Sequence, residues 1–87
     1  MFIKISKHAT ARMKIRGIKE EEVIRVIKEG DSVEAQEGYL GRKKVFLFRS
    51  TWESRYYEEK EVTVIYAQED DIINVVTVKS RYGRFTQ

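Results

Sequence analysis

Residues 6–18 read Ser6-Lys7-His8-Ala9-Thr10-Ala11-Arg12-Met13-Lys14-Ile15-Arg16-Gly17-Ile18, and the rest of the chain is arranged around this stretch. Serine is a favoured N-cap, because its hydroxyl accepts from an amide that the first helical turn leaves without a partner. Glycine is the residue that best occupies the left-handed position just past a helix end. The pair predicts a helix over residues 7–16. His8, Arg12 and Arg16 are spaced four apart. Each step of four advances about 40° beyond a full turn, so the three share a face roughly 80° wide. Ala11 and Ile15 fall on one side of that row, Ala9 and Met13 on the other, and Lys7, Thr10 and Lys14 lie opposite. The Lys/Thr/Lys side is the expected solvent face, which turns the His/Arg/Arg row towards the body of the protein. Unpaired charge is costly to bury. The row therefore needs carboxylates, with Glu34, Glu37 and Glu69 the candidates, or a cleft in which an anionic ligand takes their place.

Downstream, Ile18-Lys19-Glu20-Glu21-Glu22-Val23 opens a second helix. Its glutamates suit the positive end of the helix dipole, and Ile18 and Val23 have the spacing of a hydrophobic staple. Val23, Ile24, Val26 and Ile27 form its apolar stripe, and Gly30 ends it. The period then changes to two. Phe2–Ile5 and Ser32–Glu37 suit short strands, and Lys44–Ser50 suits a strong one. Glu61–Gln68 and Ile72–Lys79 are β-branched runs joined by a turn at Glu69-Asp70-Asp71. That acidic turn has no recognised cation-loop spacing. Thr51–Lys60, with Trp52, Tyr56 and Tyr57, fits a loop or a hairpin end. Its aromatics suit core padding better than base stacking. Ser80–Gln87 reads as a basic, aromatic tail.

Strand, helix, helix and four strands on short connections predict a single α+β domain over residues 1–87. Two helices would pack on an antiparallel sheet of four to five strands, in the order β-α-α-β-β-β-β. Eighty-seven residues leave no room for a second domain. A chain of this size buries roughly 60–65% of its unfolded surface, so the core is thin.

With no cysteine and one histidine, neither a disulfide framework nor a thiolate zinc site can form, and no metal or other cofactor is expected. No run approaches the ~20 apolar residues of a membrane span. The N-terminus lacks the long apolar core of a signal peptide, so a cytosolic location is expected. The net charge is only +3, but it is segregated. Six basic residues (Lys4, Lys7, Arg12, Lys14, Arg16, Lys19) and no acidic one lie between Met1 and Lys19, while Lys79, Arg81 and Arg84 lie in an acid-free C-terminal stretch. If the two ends meet they form a positive patch whose natural partner is an anion.

His8, Arg12 and Arg16 have the residue types that metal-independent RNA cleavage requires. Histidine is the side chain suited to moving the 2′-hydroxyl proton, and guanidinium groups hold the phosphate as charge builds. Arg49, Thr77, Lys79, Arg81 and Tyr82 form a second, supporting group. Arg49 and Thr77 interrupt apolar strand faces, and Tyr82 is suited to stacking on a base or donating to a phosphate.

The string His8-Ala9-x-x-Arg12-Met13-x-x-Arg16-Gly17-Ile18, followed by an acidic helix start, resembles the signature of the family called domain of unknown function 4258. Val75-Val76-Thr77-Val78 and the basic end resemble it more generically. The resemblance implies a compact fold similar to RelE/ParE-type toxins, many of which are metal-independent ribonucleases acting on messenger RNA. It also implies that His8, Arg12 and Arg16 are the characteristic polar residues. The expectation is an RNA-binding, RelE-like domain that cleaves RNA as a toxin, with an antitoxin protein covering its basic cleft. The alternatives are a non-catalytic module for nucleic acid or protein, and an interaction domain whose His/Arg row is paired internally.

Overall fold

The computed structural model describes residues 1–86. Gln87, the end of the expected tail, lies outside them. The elements are β1 (Phe2–Ile5), α1 (Lys7–Arg16), α2 (Glu20–Glu29), β2 (Asp31–Val33), β3 (Leu40–Trp52), β4 (Arg55–Glu69) and β5 (Ile72–Gly83). They form one five-stranded sheet in the order β1-β5-β4-β3-β2. The α+β class and the element order are those expected.

The sheet is mixed, which corrects the expectation of an antiparallel one: β1 pairs parallel with β5, Phe2 opposite Ile72 and Ile5 opposite Val75. The two strands are the first and last in the chain, so no tight turn dictates their sense. The other three pairings are antiparallel. The β3–β4 connection is a two-residue turn, Glu53-Ser54, with both φ angles positive (50° and 69°), as the twist of a tight hairpin favours. The aromatic segment 51–60 is thus mostly paired strand. The edge strand expected over Ser32–Glu37 is shorter and earlier, Asp31–Val33. β5 runs on to Gly83, so half of the expected tail belongs to the sheet.

One face of the sheet carries the core. Val62, Val64 and Tyr66 of β4 and Ile73, Val75 and Val78 of β5 pack with Ala9, Met13, Ile18, Val23, Val26 and Ile27. The alternation along β5 has a break: Ile65 pairs with Thr77 but Tyr66 pairs with Val75, so Val76 is an extra residue, a β-bulge. Ile73 and Val75 face the core before it and Val78 after it, while Thr77 and Lys79 take the other phase, that of the face without helices. An unbroken period of two would have put Thr77 and Lys79 into the core.

Lys60 lies on the core side of β4 and is 2% exposed. Its Nζ donates to the Gly17 carbonyl and, at 2.7 Å, to Glu22 Oε1. The same carboxylate oxygen accepts from the Lys19 amide at 2.9 Å, so one ion pair ties the sheet to the end of α1 and the start of α2. Among the described residues no helix is long and apolar enough to cross a membrane.

Candidate functional site: the first helix and the open sheet face

α1 lies along β5 from the bulge to the strand end. Ser6 Oγ accepts from the Ala9 amide at 3.0 Å, the N-cap read in the sequence, and donates to the Val76 carbonyl at 3.4 Å. At the other end, Ser80 Oγ and the Tyr82 hydroxyl donate to the Arg16 carbonyl at 2.9 and 2.7 Å. Gly17 closes the helix at φ 68°. The Ile18 amide reaches back to the Met13 carbonyl at 2.8 Å, a Schellman closure. A Cβ on Gly17 would sit 2.5 Å from Trp52 Cζ3 and 2.8 Å from the Tyr82 hydroxyl, so conformation and space both demand glycine.

Because α1 borders a strand edge, it buries only a narrow stripe, Ala9 and Met13. The His/Arg/Arg row flanks that stripe instead of turning fully inward. His8 and Arg16 are exposed and Arg12 is half-buried. Among the described residues no carboxylate lies within ion-pair distance of any of the three, including Glu34, Glu37 and Glu69. Arg12 Nε is buried with no acceptor among the described residues. His8 Nε2 stands 3.3 Å from Thr77 Oγ1, which joins the row to the open face of β5.

Thr77 and Lys79 line a cleft of about 650 Å³ between that face and the loop from Glu34 to Tyr39. Lys79 is exposed. The other sequence-predicted residues lie elsewhere. Arg49 sits at the β3 bulge with φ 44° and pairs with Glu58 at 2.8 Å. This contact, chiefly the hydrogen bond, holds the Glu58 carboxyl below its usual range. Arg49 lines a separate hollow with Leu47, Glu58, Glu59, Arg84 and Thr86. Arg81 binds Glu61 through Nε at 3.0 Å and Nη2 at 2.9 Å and stacks on Phe85 at 4.6 Å. Tyr82 lies parallel to Trp52, with centroids 5.0 Å apart, and meets Phe48 edge-on. Burial pushes its hydroxyl pKa up. It is held in an aromatic cluster beneath Gly17.

The structure thus joins His8 to Thr77, which shares the cleft with Lys79, sets Arg12 one turn along α1 from His8, leaves Arg16 at the far end of the same helix, and ties Arg49, Arg81 and Tyr82 into other contacts. Sequence reasoning missed Glu34, Gln36 and Tyr39 as cleft walls. Their signal was the Gly38 turn, where the Tyr39 amide donates to the Gln36 carbonyl at 2.9 Å and Gly38 takes φ 90°. Among the described residues no group of three or more His, Cys, Asp or Glu is placed to hold a metal ion.

No curated protein and no solved structure matches the chain. The family described as domain of unknown function (DUF4258) matches residues 5–80, which include the whole of α1, the cleft and the bulge. The chain therefore belongs to the DUF4258 family.

Proposed function

We propose that this protein is a RelE-like domain that binds RNA through the exposed row of α1 and cleaves it without a metal. The observation that carries the reading is the Arg12 guanidinium, part-buried beside His8, with Nε lacking an acceptor and no carboxylate in ion-pair distance among the described residues. Most other arginines are engaged: Arg25 with Glu29, Arg42 with the Gly30 carbonyl and Tyr66, Arg49 with Glu58, Arg81 with Glu61. A half-desolvated cation without a partner gains most from an anion supplied by a ligand, and guanidinium matches phosphate in geometry and charge.

In this reading Arg12 and Arg16 hold the phosphate, Thr77 fixes the His8 ring, and His8 takes the proton of the adjacent 2′-hydroxyl. The 2′-oxygen bonds to phosphorus, the bond to the 5′-oxygen breaks, and that oxygen leaves with a proton from solvent. The products are a 2′,3′-cyclic phosphate and a 5′-hydroxyl end. Lys79 adds to the positive field, whereas Arg81 is offset by Glu61. If the domain acts as a toxin, an antitoxin protein would cover this surface.

The test is incubation of the purified protein with mixed-sequence RNA in chelator. Cleavage lost in His8→Ala, with the circular dichroism spectrum retained, supports the chemistry. No cleavage of any RNA removes it. A second reading, a non-catalytic RNA-binding module, is favoured by the absence of any carboxylate orienting His8 among the described residues. It predicts salt-sensitive binding that Arg12→Ala weakens and His8→Ala leaves nearly unchanged.

A further inference from the structure

The cleft next to His8 has a composition that phosphate binding does not use. From the loop come Glu34, Gln36 and Tyr39; from the open sheet face come Ile65, Thr77 and Lys79. Its volume of about 650 Å³ lies in the range of small-molecule pockets. Tyr39 remains 42% exposed although it is a large aromatic, and neither Glu34 nor Lys79 has an ion-pair partner among the described residues. An exposed carboxylate and an exposed ammonium, unpaired among the described residues and sharing a hollow with an open aromatic ring and an apolar floor, suit a flat ligand with donors on one edge and acceptors on another.

We infer that this cleft is a nucleobase pocket and that guanine is the base it takes. The inference rests on the RNA-binding reading and specifies which base lies beside the cleaved bond. A carboxylate only accepts hydrogen bonds. Guanine alone among the RNA bases offers it two adjacent donors, N1–H and the N2 amino group. Uracil presents one N–H flanked by carbonyls, and adenine and cytosine set a ring-nitrogen acceptor beside their amino group, so each opposes a second bond to Glu34. Lys79, three donors on a flexible stem, suits the guanine O6 and N7 acceptors. Tyr39 provides the ring on which the base stacks, as is usual where single-stranded RNA is read. Thr77 is the hinge of the arrangement: it lines the pocket and meets His8 at 3.3 Å.

The experiment has two arms. In the first, the isotope-labelled protein is titrated with guanosine, adenosine, cytidine and uridine, which carry no phosphate and so read the pocket alone. Guanosine should move the amides of Ala35, Gln36, Tyr39 and Thr77, and uridine should not. In the second, wild type, Glu34→Gln, Tyr39→Ala and Arg12→Ala bind a uridine hexamer and the same hexamer with one central guanosine. Wild type should prefer the guanosine hexamer by about tenfold or more. That ratio should fall towards one in Glu34→Gln and Tyr39→Ala, and Arg12→Ala should weaken both hexamers while keeping it. Hexamers that bind through Arg12 with no base preference, together with guanosine that moves nothing, overturn the pocket and leave RNA binding standing. Guanosine shifts in the cleft without binding of either hexamer uphold the pocket and overturn the RNA reading. No response in either arm overturns both.

Discussion

Lys60→Met isolates the buried ion pair that fixes the far end of α1. Methionine keeps the apolar stem within the core and removes the ammonium, which donates to the Gly17 carbonyl and to Glu22 Oε1. Removing one member of a buried pair costs about 3–5 kcal/mol, because the remaining charge is stranded. Glu22 is not fully stranded: its side chain is 15% exposed and still accepts from the Lys19 amide, which brings the expected cost to about 2–3 kcal/mol. In a domain of this size each kcal/mol moves Tm by about 4–8 °C, so a fall of roughly 10–20 °C is expected. The assay is urea unfolding followed by circular dichroism, with a thermal scan beside it. Glu22→Gln on the Lys60→Met background should recover part of the loss, because it removes the stranded charge. A loss under about 0.5 kcal/mol, with no recovery in the double variant, would refute the idea that this pair clamps the helices to the sheet.

Gly17→Ala should cost about 2 kcal/mol or more, since the left-handed φ penalises a Cβ and Trp52 leaves it no room; urea unfolding measures it. Arg12→Met should leave stability within about 1 kcal/mol of wild type or raise it, because no pair is broken; a loss of 3 kcal/mol or more in the same assay would reveal a structural role. Glu59 accepts from the Thr86 hydroxyl and amide and from the Phe85 amide, and these bonds, the hydroxyl's first, hold its carboxyl below the ordinary value of 4.5. A lowered folded value means that the tail's attachment is complete above pH 4.5 and is lost as pH falls through that lower value. The Phe85 and Thr86 amide resonances should therefore shift together in an acid titration, and Glu59→Gln should release them at neutral pH.

What could be read from the sequence was local. Ser6, Gly17 and the acidic start of α2 are signals spanning one turn of chain, and each stands where it was read. The strands of the β3–β4–β5 meander followed from β-branched runs and short turns. The parallel β1–β5 pair was not legible, because it joins the first strand to the last and no nearby residue encodes that meeting. Lys60 was hidden by its neighbours: Glu58-Glu59-Lys60-Glu61 reads as a solvated charge run, and only the phase carried back from Val62 and Val64 turns it inward. The helical wheel turned the His/Arg/Arg row towards the body of the protein, but only Arg12 is half-buried, and His8 and Arg16 are exposed. The row ended more exposed than expected because a helix set against a strand edge buries less of its circumference than one lying across a sheet. Arg81 and Tyr82 could not be assigned from spacing alone, since Glu61 is distant in sequence and the partners of Tyr82 come from β3, β4 and the end of α1.

The additional residue at Val76 gives the end of the chain two sides with different allegiances. Were that residue drawn into a regular ladder, everything beyond it would turn inside out: threonine and lysine would point indoors, Val78 would face water, and the imidazole of the first helix would lose its neighbour. Excision of its codon would instead leave plain alternation with the same residues on each side, so a lineage drifting under selection for this surface would be expected to guard the phase of the flanking residues more closely than the residue between them.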